Sequence, residues 1–311
     1  MVATPRPSPP FRAALLAPRH WPAWLGLGLI RLLACVPYPA LLRIGGVLGA
    51  LAVRLLRSRR RIAARNLELC FPDLSAAERR RMLDANLRDA GLMLVEFALG
   101  WLGTSRAIRR VPVTIEGIEH LERARAGGRG VLLTGAHFSH LELAGRLLVE
   151  HGGQRVAGMY RVHGDAAFEW AIRRARARYA EQMFRKDELR ASVRYLRGGG
   201  CLWYAPDQDM RGKDAVFVPF FGVPAATITA THHLARLSGC LVVPFFHRRL
   251  EGGGYALRLE APLDDFPGDD VVADTARVNA AIERMVREAP TQYLWMHQRF
   301  KSRPTGEPRV Y

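Results

Sequence analysis

The chain has 311 residues, nearly half of them apolar, which suffices for one large domain or two small ones and excludes wholesale disorder. Its formal charge of +17 comes almost entirely from arginine, since Lys186, Lys213 and Lys301 are the only lysines, and such a surface draws phosphates, acidic proteins and anionic lipid. Cys35, Cys70, Cys201 and Cys240 lie far apart without a C-x-x-C pair, which excludes a disulfide framework or a cysteine zinc site. The pattern suits a reducing compartment with all four as small buried hydrophobes.

Residues 1–18 hold five prolines and no apolar period, and read as a loose tail. From Trp21 to Val53 the character changes to a stretch with no acidic residue, longer than the roughly 20 apolar residues that cross a bilayer. Arg31, Arg43, Pro37 and Pro39 interrupt it. Residues 19–56 are therefore expected to anchor the chain to a membrane, as one span near 22–40 or as a pair of helices lying in the interface. A buried helical hairpin of a soluble protein is the alternative. The segment is too long for a removable signal peptide and lacks a small-residue cleavage site. The arginine-dense RLLRSRRRIAARN (54–66) then favours a cytoplasmic position for the residues downstream of it, and Trp21 and Trp24 at one end favour the membrane.

Residues 57–110 read as a helical basic region, with Ser75 and Glu78 forming a capping box at the start of a long helix. From 111 to 311 short β-rich runs alternate with amphipathic helices. Strands are expected at 111–117, 130–136, 155–161, 201–206, 215–220, 240–249 and 254–262. Helices are expected at EHLERARA (119–126) and ELAGRLLVEH (142–151) and near 165–178, 187–196, 226–237 and 272–288. That alternation predicts an α/β domain with a mostly parallel central sheet flanked by helices. No internal repeat is visible.

Chemistry in such sheets gathers at the carboxyl ends of the strands. There the run VLLT (131–134) is followed by GAHFSHLELAG (135–145), which places His137, His140 and Glu142 together. A carboxylate in the first turn of a helix can reach back to an imidazole in the preceding loop. It then fixes the tautomer so that the other ring nitrogen can take a proton. This is the orienting half of a triad without its serine, and the chain has no G-x-S-x-G elbow, so the nucleophile must come from the substrate. A capping or core histidine is the competing reading of His137, and the H-x-x-x-x-E spacing alone is weak because short motifs match by chance. A metal site at His137, His140 and Glu142 lacks the H-E-x-x-H spacing and any nearby cysteine. His140 is expected on the helix surface and Ser139 as the helix N-cap. His232 and His233 have no carboxylate at a useful spacing, and Trp295 and His297 read as core and edge residues.

Further stretches carry a resemblance: IAARNLELCFPDLS (62–75), HFSHLE (137–142), YR (160–161), RKDELR (185–190), WYAPDQD (203–209), VFVPFFGVPAAT (216–227), YLWMHQRFKSRP (293–304) and the ending RVY (309–311). In this order, from about Trp21 to Tyr311, they resemble the late acyltransferases of bacterial lipid A biosynthesis, above all the lauroyl-transferring branch. H-x-x-x-x-E alone belongs to a wide set of glycerolipid acyltransferases, whereas WYAPDQD with VFVPFFG is far more specific. His140 departs from the family pattern, which has a small or hydroxylic residue there. The resemblance implies a glycerolipid-acyltransferase-like fold at the bacterial inner membrane, with the catalytic domain on the cytoplasmic face. It implies transfer of a fatty acyl chain, lauroyl first among the options, from acyl carrier protein to a 3-hydroxyacyl hydroxyl on Kdo-bearing lipid IV(A).

In that reading His137 removes the acceptor proton and Glu142 steadies the imidazole. Backbone N–H groups near Ser139 are candidates for stabilising the oxyanion. Arg161, at a strand end, is expected to grip an anionic group. Asp207 and Asp209 are expected in the site wall. Lys186 and Arg190 are expected to meet a lipid phosphate or the acidic carrier protein, with a solvated face the alternative for both. No metal, nucleotide or flavin motif occurs, so no cofactor beyond the acyl donor is expected, and no nucleic acid. A basic module binding membrane or nucleic acid without catalysis, an acyltransferase with another glycolipid or lysophospholipid acceptor, and a thioesterase remain as alternatives. Acyl length and the identity of the accepting chain are open.

Overall fold

A computed structural model describes residues 10–311; the first nine residues of the expected tail lie outside the described residues. The rest of that tail is folded back. Two 3-10 turns (Ala13–Leu16 and Pro18–His20) lead into helix α1 (Trp21–Leu33), and Trp24 Nε1 donates to the Leu15 carbonyl at 2.7 Å.

The apolar segment forms two helices, α1 and α2 (Tyr38–Leu55), broken at 34–37 where Pro37 and Pro39 stop a continuous run. A single span over 22–40 is therefore not what forms. With 13 residues, α1 is about 20 Å long, short of the ~30 Å hydrocarbon core. With 18 residues, α2 is long and apolar enough to cross a membrane by length and composition. It nevertheless packs along α4 (Ala76–Leu102), so closely that a Cβ on Gly91 would stand 2.0 Å from the Gly49 nitrogen. The outward faces of the two helices carry Trp21, Leu25, Leu29 and Leu32, and Val47, Leu51 and Leu55, all exposed. Cys35, in the break, is exposed as well, so only three of the four cysteines are the buried hydrophobes expected.

Helix α3 (Arg57–Cys70) and α4 are joined to the α/β layer rather than set apart from it. Asn66 Nδ2 donates to the carbonyls of Trp295 and His297, and Asn86 Nδ2 to those of Thr291 and Tyr293. The start of α4 is as read: Glu78 N–H donates to Ser75 Oγ at 3.3 Å, and Ser75 N–H to Glu78 Oε2 at 2.8 Å. A four-residue turn, α5 (Ser105–Ile108), leads to strand β1 (Val113–Glu116).

Beyond it come α6 (Ile118–Ala126), β2 (Val131–Thr134), α7 (Leu141–Gly152), β3 (Ala157–Tyr160), α8 (Ala166–Arg176), β4 (Met183–Arg185), α9 (Leu189–Arg197) and β5 (Cys201–Tyr204). After the hairpin β6 (Ala215–Phe220) and β7 (Val223–Ile228), the chain closes with α10 (Ala230–Ser238), β8 (Leu241–Arg249), β9 (Tyr255–Leu259) and α11 (Val271–Glu288). Seven strands form one sheet in the order β1-β9-β8-β2-β5-β3-β4, parallel throughout except for the β8–β9 pair. The mostly parallel α/β sheet is therefore present. β2 is buried along its whole length, as expected for a strand covered by helices on both faces.

Three features differ from expectation. The run at 215–220 stands outside the main sheet, paired with β7 in an antiparallel ribbon whose turn, Phe221-Gly222, has positive φ at both residues. What reads as the start of a helix at 226 is the end of β7, and the helix begins at Ala230. The three-residue edge strand β4 has no counterpart among the strands expected from sequence.

Candidate active site

β2 and β5 lie side by side and parallel, in a register that pairs Thr134 with Tyr204. Three residues past Thr134 is His137, and three residues past Tyr204 is Asp207. Equal overrun from paired strands brings them face to face. The His137 N–H donates to Asp207 Oδ2 at 2.9 Å, and ring Nδ1 lies 2.6 Å from Asp207 Oδ1. Asp207 is 1% exposed, while the His137 ring keeps an open edge. An ionised carboxylate only accepts, so Nδ1 carries the proton and Nε2 is left as the base.

Burial works to lower the His137 pKa, but the charge and hydrogen bond of Asp207 outweigh it and leave the group above its ordinary value. Burial opposes ionisation of Asp207 too, yet His137 prevails and holds the carboxyl down to about 2. The guanidinium of Arg299, buried against the Ala226 carbonyl and Thr227 Oγ1, adds positive potential beside Asp207.

Glu142 does not reach His137. Its carboxylate pairs with Arg176 of α8, through Nη2 and through Nε at 3.2 Å, and lies 3.4 Å from the Tyr179 hydroxyl. The expected orienting role of Glu142 is thus corrected: Asp207, 70 positions on, occupies Nδ1. The physical reason is helix geometry. Glu142, Gly145 and Val149 share one face of α7, which lines a cleft together with Arg176 of α8 and Tyr179. Burial opposes the charge of Arg176, but Glu142 more than offsets this and raises its pKa.

The loop carrying His137 is clamped from both sides. Ser139 N–H donates to the Gln292 carbonyl at 2.8 Å, and Leu294 N–H donates to that of His137 at 2.9 Å. Ser139 Oγ donates to Asp89 and meets Arg249, which is itself paired with Asp89 and Glu96. Ser139 is therefore a tether and not the N-cap, a position taken by His140 without a side-chain bond. The Ser139 N–H is committed to the Gln292 carbonyl, so of the backbone N–H groups expected near Ser139 to stabilise an oxyanion, its own is not free. His140 is fully buried against His247 and Tyr255, and burial pushes its pKa well down, so it belongs to the packing and not to the helix surface. His137 meets Asp207 and Trp203, His140 packs on His247 and Tyr255, and Glu142 pairs with Arg176, so the three do not converge as metal ligands.

The remaining candidates separate. Arg161 is exposed and follows β3, the parallel neighbour of β5, at the carboxyl ends of the strands, while Lys186 just past β4 and Arg190 in α9 are exposed as well. Asp209 lies close by, its two oxygens taken by the Ser302 N–H (2.8 Å) and hydroxyl (3.0 Å), while its own N–H donates to His297 Nε2. His297, read as an edge residue, is thus part of the site wall, whereas Trp295 is core. His232 does have a carboxylate, Asp274 of α11 at 2.8 Å, but the pair is buried far along the chain from the site.

Beside the dyad an apolar cleft runs under α7, from Glu142 and Trp203 past Gly145 to Val149 and Val156. The Trp203 ring stands edge-on to that of His137, centroids 6.4 Å apart. Because α7 runs back along the sheet, the cleft leads from the carboxyl ends of the strands towards their amino ends. A histidine beside an apolar cleft is an arrangement that suits chemistry on the head of a hydrocarbon chain.

Residues 8–302 match the family described as bacterial lipid A biosynthesis acyltransferase. The chain belongs to this family. It is 41% identical to the lipid A biosynthesis lauroyltransferase of Escherichia coli K12, across 97% of this chain and 99% of that one. It is 39% identical to the palmitoleoyltransferase of the same organism (97% and 98% covered) and 31% identical to the myristoyltransferase (97% and 94%). The chain is thus an acyltransferase of lipid A biosynthesis, and the reading as a non-catalytic basic module falls away.

Proposed function

We propose that this lipid A acyltransferase moves a fatty acyl chain, lauroyl by preference, from acyl carrier protein to a 3-hydroxyacyl hydroxyl of Kdo-bearing lipid IV(A). The observation that carries the chemistry is the two-point grip of Asp207 on His137. Neutral Nε2 takes the acceptor's proton, and the alkoxide attacks the thioester carbonyl. As the C–O bond forms and the C–S bond breaks, the imidazolium returns its proton to the departing thiolate. Asp207 stabilises the imidazolium that appears in between. The fatty chain lies in the cleft under α7, with its thioester at Trp203 and His137. The exposed leucines of α1 and α2 lie in the interface of the inner membrane on its cytoplasmic side, where the arginines of α3 meet anionic headgroups. Arg161, Lys186 and Arg190 present cations to the acidic carrier protein as it approaches.

The test is transfer by the purified protein in detergent or vesicles, from a labelled lauroyl carrier protein to lipid IV(A) with and without Kdo, with the product read by mass spectrometry. A product one lauroyl group heavier is expected only with the Kdo-bearing acceptor. Free laurate without a product would point to hydrolysis instead.

Gly145 gives a handle on chain length. A Cβ there would meet nothing within 4 Å, so Gly145→Leu extends into the cleft midway along its length. The substitution removes a helical glycine, worth about 1 kcal/mol against a good helix former, so stability is expected to hold or rise. With a mixture of carrier-bound chains, the variant is expected to favour shorter ones than the parent. An unchanged chain profile in the product would remove the fatty chain from this cleft.

A further inference from the structure

A second hollow opens past the dyad and shares no lining residue with the apolar cleft. It is lined by Arg59, Asp209, Arg211, His297, Gln298 and Lys301. Three cations face a single carboxylate, and that carboxylate is already spent on Ser302. Two of the cations are positioned: Arg211 Nε donates to Ser302 Oγ at 3.1 Å, and Arg59 Nη1 lies 3.4 Å from the Met296 carbonyl. His297 accepts the Asp209 N–H through Nε2, which puts its ring proton on Nδ1. Burial lowers its pKa, so it is a neutral donor near pH 7. We propose that this hollow binds a phosphate group of the acceptor lipid and thereby presents the acceptor's hydroxyl to His137.

Three features of the structure favour this. Guanidinium groups with an ammonium are the donor set that fits a compact anion with several oxygens. Asp209 is two residues past Asp207, so a group held here lies close to the dyad while sharing no lining residue with the apolar cleft. Arg59 stands four residues beyond exposed Leu55 at the end of α2, which places the hollow near that end of the apolar face of α2. A ligand that arrives in a lipid surface therefore fits better than one that arrives in water.

The inference rests on the acceptor assignment above, and the experiment separates the two. Transfer by the full-length protein is measured for the parent, Lys301→Gln, Arg211→Gln and the double variant, varying donor and acceptor separately. The acceptor is used as isolated and after enzymatic removal of its phosphates. Charge-assisted hydrogen bonds of this kind predict a rise of about tenfold or more in the acceptor KM of the double variant. The donor KM stays put, and Lys301→Arg restores most of the loss. On the dephosphorylated acceptor, parent and double variant should show the same raised KM. A rise in the donor KM instead would assign the hollow to the carrier protein or its prosthetic phosphate and overturn the proposal, as would an unmoved acceptor KM. A parent that transfers nothing to the intact acceptor would sink the acceptor assignment itself, and this inference with it.

Discussion

Replacing Asp207 with Asn is expected to lower kcat by about a thousandfold or more while leaving the fold intact. The amide is nearly isosteric, but it can donate to Nδ1 as readily as accept, which lets the imidazole adopt the tautomer with its proton on Nε2. In serine hydrolase triads that single error costs on the order of 10⁴ in kcat. A carboxylate also stabilises the imidazolium that forms as the acceptor loses its proton, and a neutral amide does not. The pH dependence gives a second readout with a definite sign. The proposed base is the neutral form of a histidine held above its ordinary pKa of 6.5, so in the parent kcat/KM is expected to rise with pH through a midpoint above that value. In Asp207→Asn the partner that raised the pKa is gone and burial, which lowers it, remains. The rising limb then moves to lower pH even as the plateau drops. A variant that kept the parental midpoint would show that Asp207 does not govern the imidazole.

Stability obeys the same linkage. The raised pKa of His137 stabilises the fold most fully below about pH 6.5, and that contribution fades as pH climbs through the folded value. The depressed pKa of Asp207 works the other way. Its contribution is present above the ordinary value of 3.8 and is lost as pH falls towards 2.

The local grammar of this chain is readable where it is carried by neighbours in sequence. Ser75 and Glu78 announce the start of α4, and β-rich runs bounded by turn residues announce the strands of the sheet. β7 escapes because Pro224-Ala225-Ala226-Thr227 lacks a β-rich run and its turn, Phe221-Gly222, lacks the Asn-Gly or Asp-Gly signature. Asp207 reads as part of the wall but not as the partner of His137, for a different reason. Both lie three residues past a strand, and that offset is legible, but only strand order says that β5 and not β3 lies next to β2. Glu142 misleads through proximity: five residues along the chain, it faces another helix. The basic hollow draws on α3, the segment after β5 and the C-terminal segment. No local string could reveal it.

Glu142 itself should matter through stability and the shape of the cleft rather than through proton transfer. Arg176 is 7% exposed, and Glu142 is the carboxylate paired with it. Glu142→Ala would leave that guanidinium buried without its counter-charge, which costs about 3–5 kcal/mol in comparable buried pairs. A large fall in Tm is expected, together with reduced acyl transfer, because an unpaired Arg176 lining the cleft intrudes on the space for the fatty chain. Replacing both partners, as in Glu142→Leu with Arg176→Met, should recover most of the lost stability, since an apolar pair of similar volume escapes the desolvation cost. The decisive comparison is Glu142→Gln against Asp207→Asn at matched folding. The first should raise the donor KM and leave the midpoint of the pH profile in place, because Nδ1 of His137 still faces Asp207. If Glu142→Gln instead shifted that midpoint downward as Asp207→Asn does, the carboxylate five residues from His137 would be its electrostatic partner after all, and the strand-end pairing would be structural only.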